Sequence, residues 1–135
     1  MSTPTIIVYG IPNCDTVKKA RAWLDGQGLA YQFHDYKKQG VPAELLPQWM
    51  DALGWEALLN RSGTTWRKLD EAVRASVTDR ASAAALMLAQ PSVIKRPLVR
   101  WADGRLSLGF KPELFSAQAW ALIHAGAKAA PAWNV

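Results

Sequence analysis

The sequence has little of the side-chain chemistry on which metal sites and dithiol sites depend. It contains one cysteine and two histidines in 135 residues. One cysteine excludes a disulfide within the chain, so a redox cycle at this residue must recruit an external thiol. His34 and His124 lack the spacing of zinc ligands, and Gly-rich phosphate loops of the two common types are missing. We therefore expect no metal site and no bound cofactor.

Long hydrophobic runs are also missing. No stretch approaches the length of a membrane span, and the apolar run at 6–8 is too short for a secretion signal. With the single cysteine, these absences predict a soluble, cytoplasmic protein. The 16 Lys and Arg residues exceed the 11 Asp and Glu residues, giving a net charge of +5. The basic residues are scattered, which favours small anionic partners and makes nucleic-acid binding an unlikely function.

The first part of the chain has the pattern of a β-α-β unit. A β-branched run at 5–10 ends in glycine and precedes a proline, which is typical of a strand that leads into a loop. Apolar residues at helical spacing predict a helix over 14–27, and strict alternation predicts a second, parallel strand over 31–35.

The remainder of the chain predicts a helical segment and then a hairpin. Residues 40–90 indicate helices that begin at Pro42 and cover 55–60, 66–74 and 79–89. We expect strands at 98–101 and 105–108 to flank an Asp-Gly turn, a helix to follow from Pro112 to about 125, and 126–135 to form a flexible tail. This order predicts a single α/β domain over 1–135, with a thioredoxin-like mixed sheet and a helical insertion between its β-α-β and β-β-α halves.

Cys14 is the first candidate for catalytic chemistry. Asn13 is a good N-cap residue, which would place Cys14 in the first helical turn beside unpaired N–H groups. The helix dipole there, with Lys18 and Lys19 one turn on, favours the thiolate, which is the nucleophilic form of cysteine. Thr16 is a candidate hydrogen-bond partner of the sulfur. The alternative is a buried structural cysteine.

Cationic side chains that could bind an anionic substrate occur in three other segments. Lys95 and Arg96 precede Pro97 just before the hairpin, and a cis peptide bond at Pro97 would turn Arg96 toward the cysteine-bearing loop. Arg61 lies in a Gly-containing loop, and Lys111 occupies the expected N-cap position of the last helix. Taken one at a time, Arg61 and Lys111 are more simply explained as solvated surface residues.

The segment 9–20, Tyr-Gly-Ile-Pro-Asn-Cys-Asp-Thr-Val-Lys-Lys-Ala, resembles the active-site segment of the arsenate reductase (ArsC)/Spx family, closest to its YffB-like branch. The resemblance continues through 54–60, 63–69 and 94–98 and covers about 5–120. It implies a thioredoxin-like fold with a helical insert. Cys14 matches the nucleophile and Arg96 matches one of three oxyanion-binding arginines. The second matches Asn60 or, with a one-residue slip, Arg61, and Lys111 stands nearest to the third.

The resemblance implies a reductase that uses glutathione as co-substrate, with glutaredoxin as a further partner. The YffB-like branch points to thiol reduction. Lysine cannot make the bidentate contact of arginine, and Asp15 beside the thiolate would repel a multiply charged oxyanion. Two alternatives stay open: a glutaredoxin-coupled arsenate reductase, and an Spx-like protein that binds the RNA polymerase α-subunit. The Cys-x-x-Cys switch of such regulators is absent, because Val17 stands where the second cysteine of that motif would be.

Overall fold

The computed structural model describes residues 5–123. The secondary structure consists, in chain order, of β1 Ile6–Gly10, α1 Asp15–Gly26, β2 Tyr31–Asp35, α2 Tyr36–Gln39, α3 Leu46–Leu53, α4 Trp55–Leu58, α5 Thr64–Lys68, α6 Glu71–Ala75, α7 Arg80–Ala89, a 3-10 helix at Pro91–Val93, β3 Leu98–Arg100, β4 Leu106–Leu108 and α8 Pro112–Ile123. The segment 126–135, for which we predict a flexible tail, lies outside the described residues.

The four strands form one mixed sheet in the order β2-β1-β3-β4. β1 pairs with β2 in parallel, and it pairs with β3 in antiparallel orientation. β3 and β4 form the antiparallel hairpin that the Asp-Gly turn predicts. The predicted thioredoxin-like arrangement of a β-α-β half and a β-β-α half in one sheet is confirmed.

The two faces of the sheet carry separate hydrophobic clusters. Ile6 and Val8 in β1 point to one face, where they join Leu24 of α1 and Phe115 of α8. Tyr9 points to the other face, where the helical insertion supplies most of the buried side chains. Because side chains alternate along a strand, β1 is buried from both sides and forms the centre of the core. The cysteine-bearing loop follows this strand directly.

The helical insertion differs from its prediction most clearly at two places, and the helix predicted over 55–60 also ends earlier, at Leu58. Pro42 does not begin a helix: its carbonyl oxygen accepts hydrogen bonds from Leu45 and Leu46 in a turn, and α3 begins at Leu46. The helix predicted over 66–74 is interrupted between α5 and α6. Arg74 explains this interruption, because its Nη1 donates to the carbonyl oxygens of Arg67 and Leu69, which the helix would otherwise use.

Two short helices were not predicted, and both connect the insertion to the sheet. α2 follows β2 directly, and the side chain of Asp35 caps it by accepting a hydrogen bond from the backbone N–H of Lys37. The 3-10 helix Pro91–Val93 lies between α7 and the segment that leads into β3. Within residues 5–123, each helix is too short or too polar to cross a lipid bilayer.

Candidate active site

Cys14 lies at the junction of the β1 loop and α1, one position earlier in the helix than we predicted. α1 begins at Asp15, and Cys14 is itself the N-cap, with φ −137° and ψ 123°. Its carbonyl oxygen accepts a hydrogen bond from the Lys18 N–H at 2.9 Å. The predicted capping role of Asn13 is wrong, because the chain becomes helical one residue later. Cys14 is half-buried and still precedes the positive end of the α1 dipole.

The approach of α1 to the end of β1 holds the cysteine-bearing loop close to the sheet. A β-carbon on Gly10 would lie 2.8 Å from Cγ2 of Val17, which is fully buried. Glycine at this position therefore lets the first turn of the helix pack directly against the strand. Ile11 is also buried and anchors the loop, whereas Pro12 and Asn13 are exposed.

The segment 93–97, which contains Arg96, is joined by backbone pairing to the central loop, which is the loop 59–63 between α4 and α5. Leu59 and Ile94 form an isolated antiparallel bridge. The Asn60 N–H donates to the Val93 carbonyl at 2.8 Å, and the Lys95 N–H donates to the Leu58 carbonyl at 2.7 Å. This pairing sets the register of the two segments. The Arg96–Pro97 peptide bond is cis, which confirms the sequence prediction.

In the central loop, the side chain of Asn60 lies against the loop itself, whereas the side chain of Arg61 lies near two tryptophan rings. The Asn60 side chain packs against Gly63, where a β-carbon would lie 2.8 Å from its Nδ2, and its Oδ1 accepts a hydrogen bond from Ser62 at 3.0 Å. Arg61 is exposed, and its Cζ lies 5.8 and 5.9 Å from the ring centroids of Trp55 and Trp66. Arg61 is thus held by aromatic rings.

One cavity of about 660 Å³ brings most of the predicted site residues together. Its lining includes Cys14, Thr16, Asn60, Lys95, Arg96 and Lys111. Arg61, Asn13 and Pro97 are not part of this lining. Between the two residues that the resemblance left as alternatives, the structure therefore brings Asn60, and not Arg61, into the cavity with the cysteine.

Sequence reasoning missed the remaining residues of the cavity wall. These are Ser62, Leu108, Gly109, Phe110 and Leu114. Four of them belong to the end of β4, the connection to α8 and the first turn of α8. The sequence signal that could have found them is Lys111, whose carbonyl oxygen accepts the Phe115 N–H at 3.0 Å, as expected of the predicted N-cap. Residues next to such a cap lie at the same end of the sheet as the cysteine.

The electrostatic character of the cavity is positive. Lys95, Arg96 and Lys111 line it, and no carboxylate of residues 5–123 does so. Lys95 and Lys111 are exposed, whereas Arg96 is half-buried. The aliphatic part of Lys95 lies over Gly109, 3.9 Å from the position of a β-carbon there. Such a wall attracts carboxylates and other anions to the neighbourhood of the sulfur.

Arg96 makes a hydrogen bond to the main chain and lies near the buried Tyr36. Its Nη1 donates to the Ser92 carbonyl at 3.0 Å. Its Nε and the hydroxyl of Tyr36 are both buried without a hydrogen-bond partner in the described part of the chain. Burial raises the pKa of Tyr36 well above its ordinary value, and Tyr9 adds to this, while the positive charge of Arg96 opposes it. Tyr36 is therefore neutral at physiological pH.

The geometry defines a class of protein: a thioredoxin-like fold with a single cysteine at its first strand–helix junction, in a cationic cavity beside an arginine that precedes a cis proline. The sequence profile of the ArsC family matches residues 9–117. The chain belongs to the ArsC family, which is a family of thiol reductases.

Known relatives agree with this assignment. The solved structure of a YffB protein is 53% identical, with a TM-score of 0.79 over 84% of this chain and 98% of that one. An arsenate reductase (ArsC) related protein from Brucella melitensis is also 53% identical, with a TM-score of 0.67 over 87% and 96% of the two chains. A protein of Haemophilus influenzae is 41% identical over 112 residues, which are 83% of this chain and 96% of that protein.

Proposed function

We propose that this protein is a glutathione-dependent thiol/disulfide reductase with Cys14 as its only nucleophile. The observation that carries the proposal is the placement of the chain's one cysteine in a cavity with three cations, Lys95, Arg96 and Lys111. Glutathione has two carboxylates and one ammonium group, so its net charge complements this wall. The family assignment supports the reductase class.

The proposed reaction consists of two thiol–disulfide exchanges. The Cys14 thiolate attacks one sulfur of a disulfide, forms a mixed disulfide with it and releases the other half as a thiolate. A glutathione thiolate then attacks the mixed disulfide and returns Cys14 to the thiolate. Where Cys14 carries a glutathionyl group, this second step releases oxidised glutathione. Each disulfide substrate gains two electrons, and two glutathione molecules supply them.

The cavity residues have distinct roles in this mechanism. Arg96 is the main anchor for a glutathione carboxylate, because its planar guanidinium suits bidentate binding and its Nη1 is already fixed by Ser92. Lys95 and Lys111 add charge from more exposed positions, and Thr16 is the proposed hydrogen-bond partner of the sulfur. Asn60 supplies a neutral amide to the cavity wall, which Arg61 does not reach.

Arsenate reduction is the second candidate, because the Brucella melitensis relative is described as related to arsenate reductase. The cavity favours it less. Among the described lining residues Arg96 is the only arginine, and Asp15 adjoins the thiolate. A multiply charged oxyanion such as arsenate needs several cations to offset its desolvation, whereas a carboxylate needs one.

The test is glutathione-dependent reduction of a small disulfide, bis(2-hydroxyethyl) disulfide, coupled to glutathione reductase. The wild-type protein should turn over, and a glutathionyl adduct on Cys14 should be trapped by mass spectrometry. Cys14→Ser should abolish both. Activity retained in Cys14→Ser, or no adduct, would overturn the proposal. An increase in this activity when glutaredoxin is added would identify glutaredoxin as a partner. Separately, binding of the protein to the RNA polymerase α-subunit, if it survives Cys14→Ser, would support the Spx-like alternative.

A further inference from the structure

The cavity that contains Cys14 is not cationic throughout. Leu108, Phe110 and Leu114 contribute an apolar part to its wall, and all three are half-buried. They come from the end of β4, the connection that follows it and the first turn of α8, whereas Lys95 and Arg96 come from the segment before β3. These apolar side chains offer no hydrogen-bond or ionic partner to a carboxylate.

The apolar part of the cavity wall is held in place by packing against the core. The Phe110 ring packs edge-to-face on Phe115 with a centroid distance of 4.8 Å, and Phe115 is fully buried. Leu114 precedes Phe115 in the first turn of α8 and points its exposed part to the cavity. Preformed apolar surface of this kind binds apolar groups without an additional cost of ordering side chains.

We propose that the preferred substrates are mixed disulfides of glutathione with an apolar thiol. The inference rests on the proposed function, and it names the substrate class. The glutathionyl half binds at Lys95, Arg96 and Lys111, and the apolar half contacts Leu108, Phe110 and Leu114. Oxidised glutathione, in which both halves are anionic, would place carboxylates on the apolar wall and is disfavoured, since a desolvated charge without a partner is costly.

The reaction is a defined exchange. The Cys14 thiolate attacks the glutathionyl sulfur, the S–S bond of the substrate breaks, and the apolar thiol leaves as a thiolate that takes a proton from water. A second glutathione thiolate attacks Cys14–S–S–glutathione, which regenerates Cys14 and forms oxidised glutathione. In total, one mixed disulfide and one glutathione give one apolar thiol and one oxidised glutathione.

The experiment compares two mixed disulfides of glutathione, one with phenylmethanethiol and one with 2-hydroxyethanethiol. Both leaving groups are alkyl thiols, so a difference in kcat/KM reports binding more than leaving-group chemistry. We expect kcat/KM to be at least about tenfold higher for the phenylmethyl substrate, which is the scale of discrimination that apolar pockets reach.

A pair of matched variants assigns the preference to the apolar wall. Leu114→Gln should abolish most of the preference, because kcat/KM for the phenylmethyl substrate should fall more than kcat/KM for the hydroxyethyl substrate. Leu88→Gln, at a leucine 44% exposed in α7 and outside the cavity lining, should behave as wild type. Because Leu114 lies on a helix surface and Gln suits a helix, the variant should stay folded.

Each outcome is decisive. Equal turnover of the two substrates, or a preference that persists in Leu114→Gln, overturns the inference and leaves the proposed function standing. If neither substrate reacts, and Cys14→Ser matches the wild type, then the proposed function fails and the inference fails with it.

Discussion

The side chain of Asn60 occupies the space that a β-carbon on Gly63 would need. The distance from that β-carbon position to Nδ2 of Asn60 would be 2.8 Å, and the distance to Cγ would be 3.2 Å. The absence of a side chain at Gly63 therefore sets where the Asn60 amide lies. Ser62 fixes the same amide from the other side through its hydrogen bond to Oδ1.

Gly63→Ala should move Asn60 and weaken the enzyme while leaving it folded. The φ of Gly63 is −77°, which alanine adopts readily, so the added methyl group acts only through the contact with Asn60. We expect the free energy of unfolding to change by less than about 1 kcal/mol, since the far end of a side chain can yield. In the proposed mechanism the Asn60 amide is available to hydrogen-bond the substrate, and loss of one such bond should lower kcat/KM by about fivefold. Steady-state kinetics and urea unfolding measure the two effects.

Gly26→Ala is the matched control, because nothing lies within 4 Å of a β-carbon at that position. Its kcat/KM should equal that of the wild type. A Gly63→Ala variant with unchanged kinetics would show that the position of Asn60 does not matter for the reaction.

Arg96 and Arg61 should differ sharply when each is replaced by alanine. Arg96→Ala removes the cavity's guanidinium and should raise the KM for glutathione by roughly tenfold to a hundredfold, as expected for a charge-assisted hydrogen bond. Arg61→Ala should leave KM unchanged, because Arg61 lies against Trp55 and Trp66 outside the cavity. Its only cost should be about 0.5–1 kcal/mol of stability. A larger KM effect from Arg61 than from Arg96 would contradict the assignment of the anion anchor.

Tyr36→Phe should be no less stable than the wild type at neutral pH. The Tyr36 hydroxyl is buried with no hydrogen-bond partner among residues 5–123, so its removal relieves an unsatisfied polar group. Burial also raises the pKa of Tyr36, so this hydroxyl remains protonated in the folded state when the unfolded chain ionises. Protons are then bound more tightly by the folded state, and stability falls as the pH rises above about 10.

The variant lacks this contribution, so its alkaline loss of stability should be shallower by up to about 1.4 kcal/mol per pH unit. Urea unfolding at pH 7 and at several values above pH 10 measures the difference. A variant that is clearly destabilised at neutral pH would show that the hydroxyl has a hydrogen-bond partner after all.

The positions of the strands along the chain and the position of the cysteine could be predicted because their signals are local. A β-branched run that ends at Gly10 marks the first strand, and the Asp-Gly turn marks the hairpin. Helix boundaries were harder. α1 begins one residue after the position that Asn13 suggested, and Arg74 interrupts a helix by binding carbonyl groups that only the folded chain brings within its reach.

Local patterns in the chain specify its strands, its single nucleophile and its positive charge, since each depends on residue type and short-range spacing. The tertiary structure alone decided which of two neighbouring residues, Asn60 or Arg61, enters the cavity. That choice follows from the register of the Leu59–Ile94 bridge. The tertiary structure also places the apolar side chains of 108–114 beside Cys14, which lies nearly a hundred residues earlier in the chain. Contacts over such separations depend on how the sheet is ordered, which no short window of sequence contains.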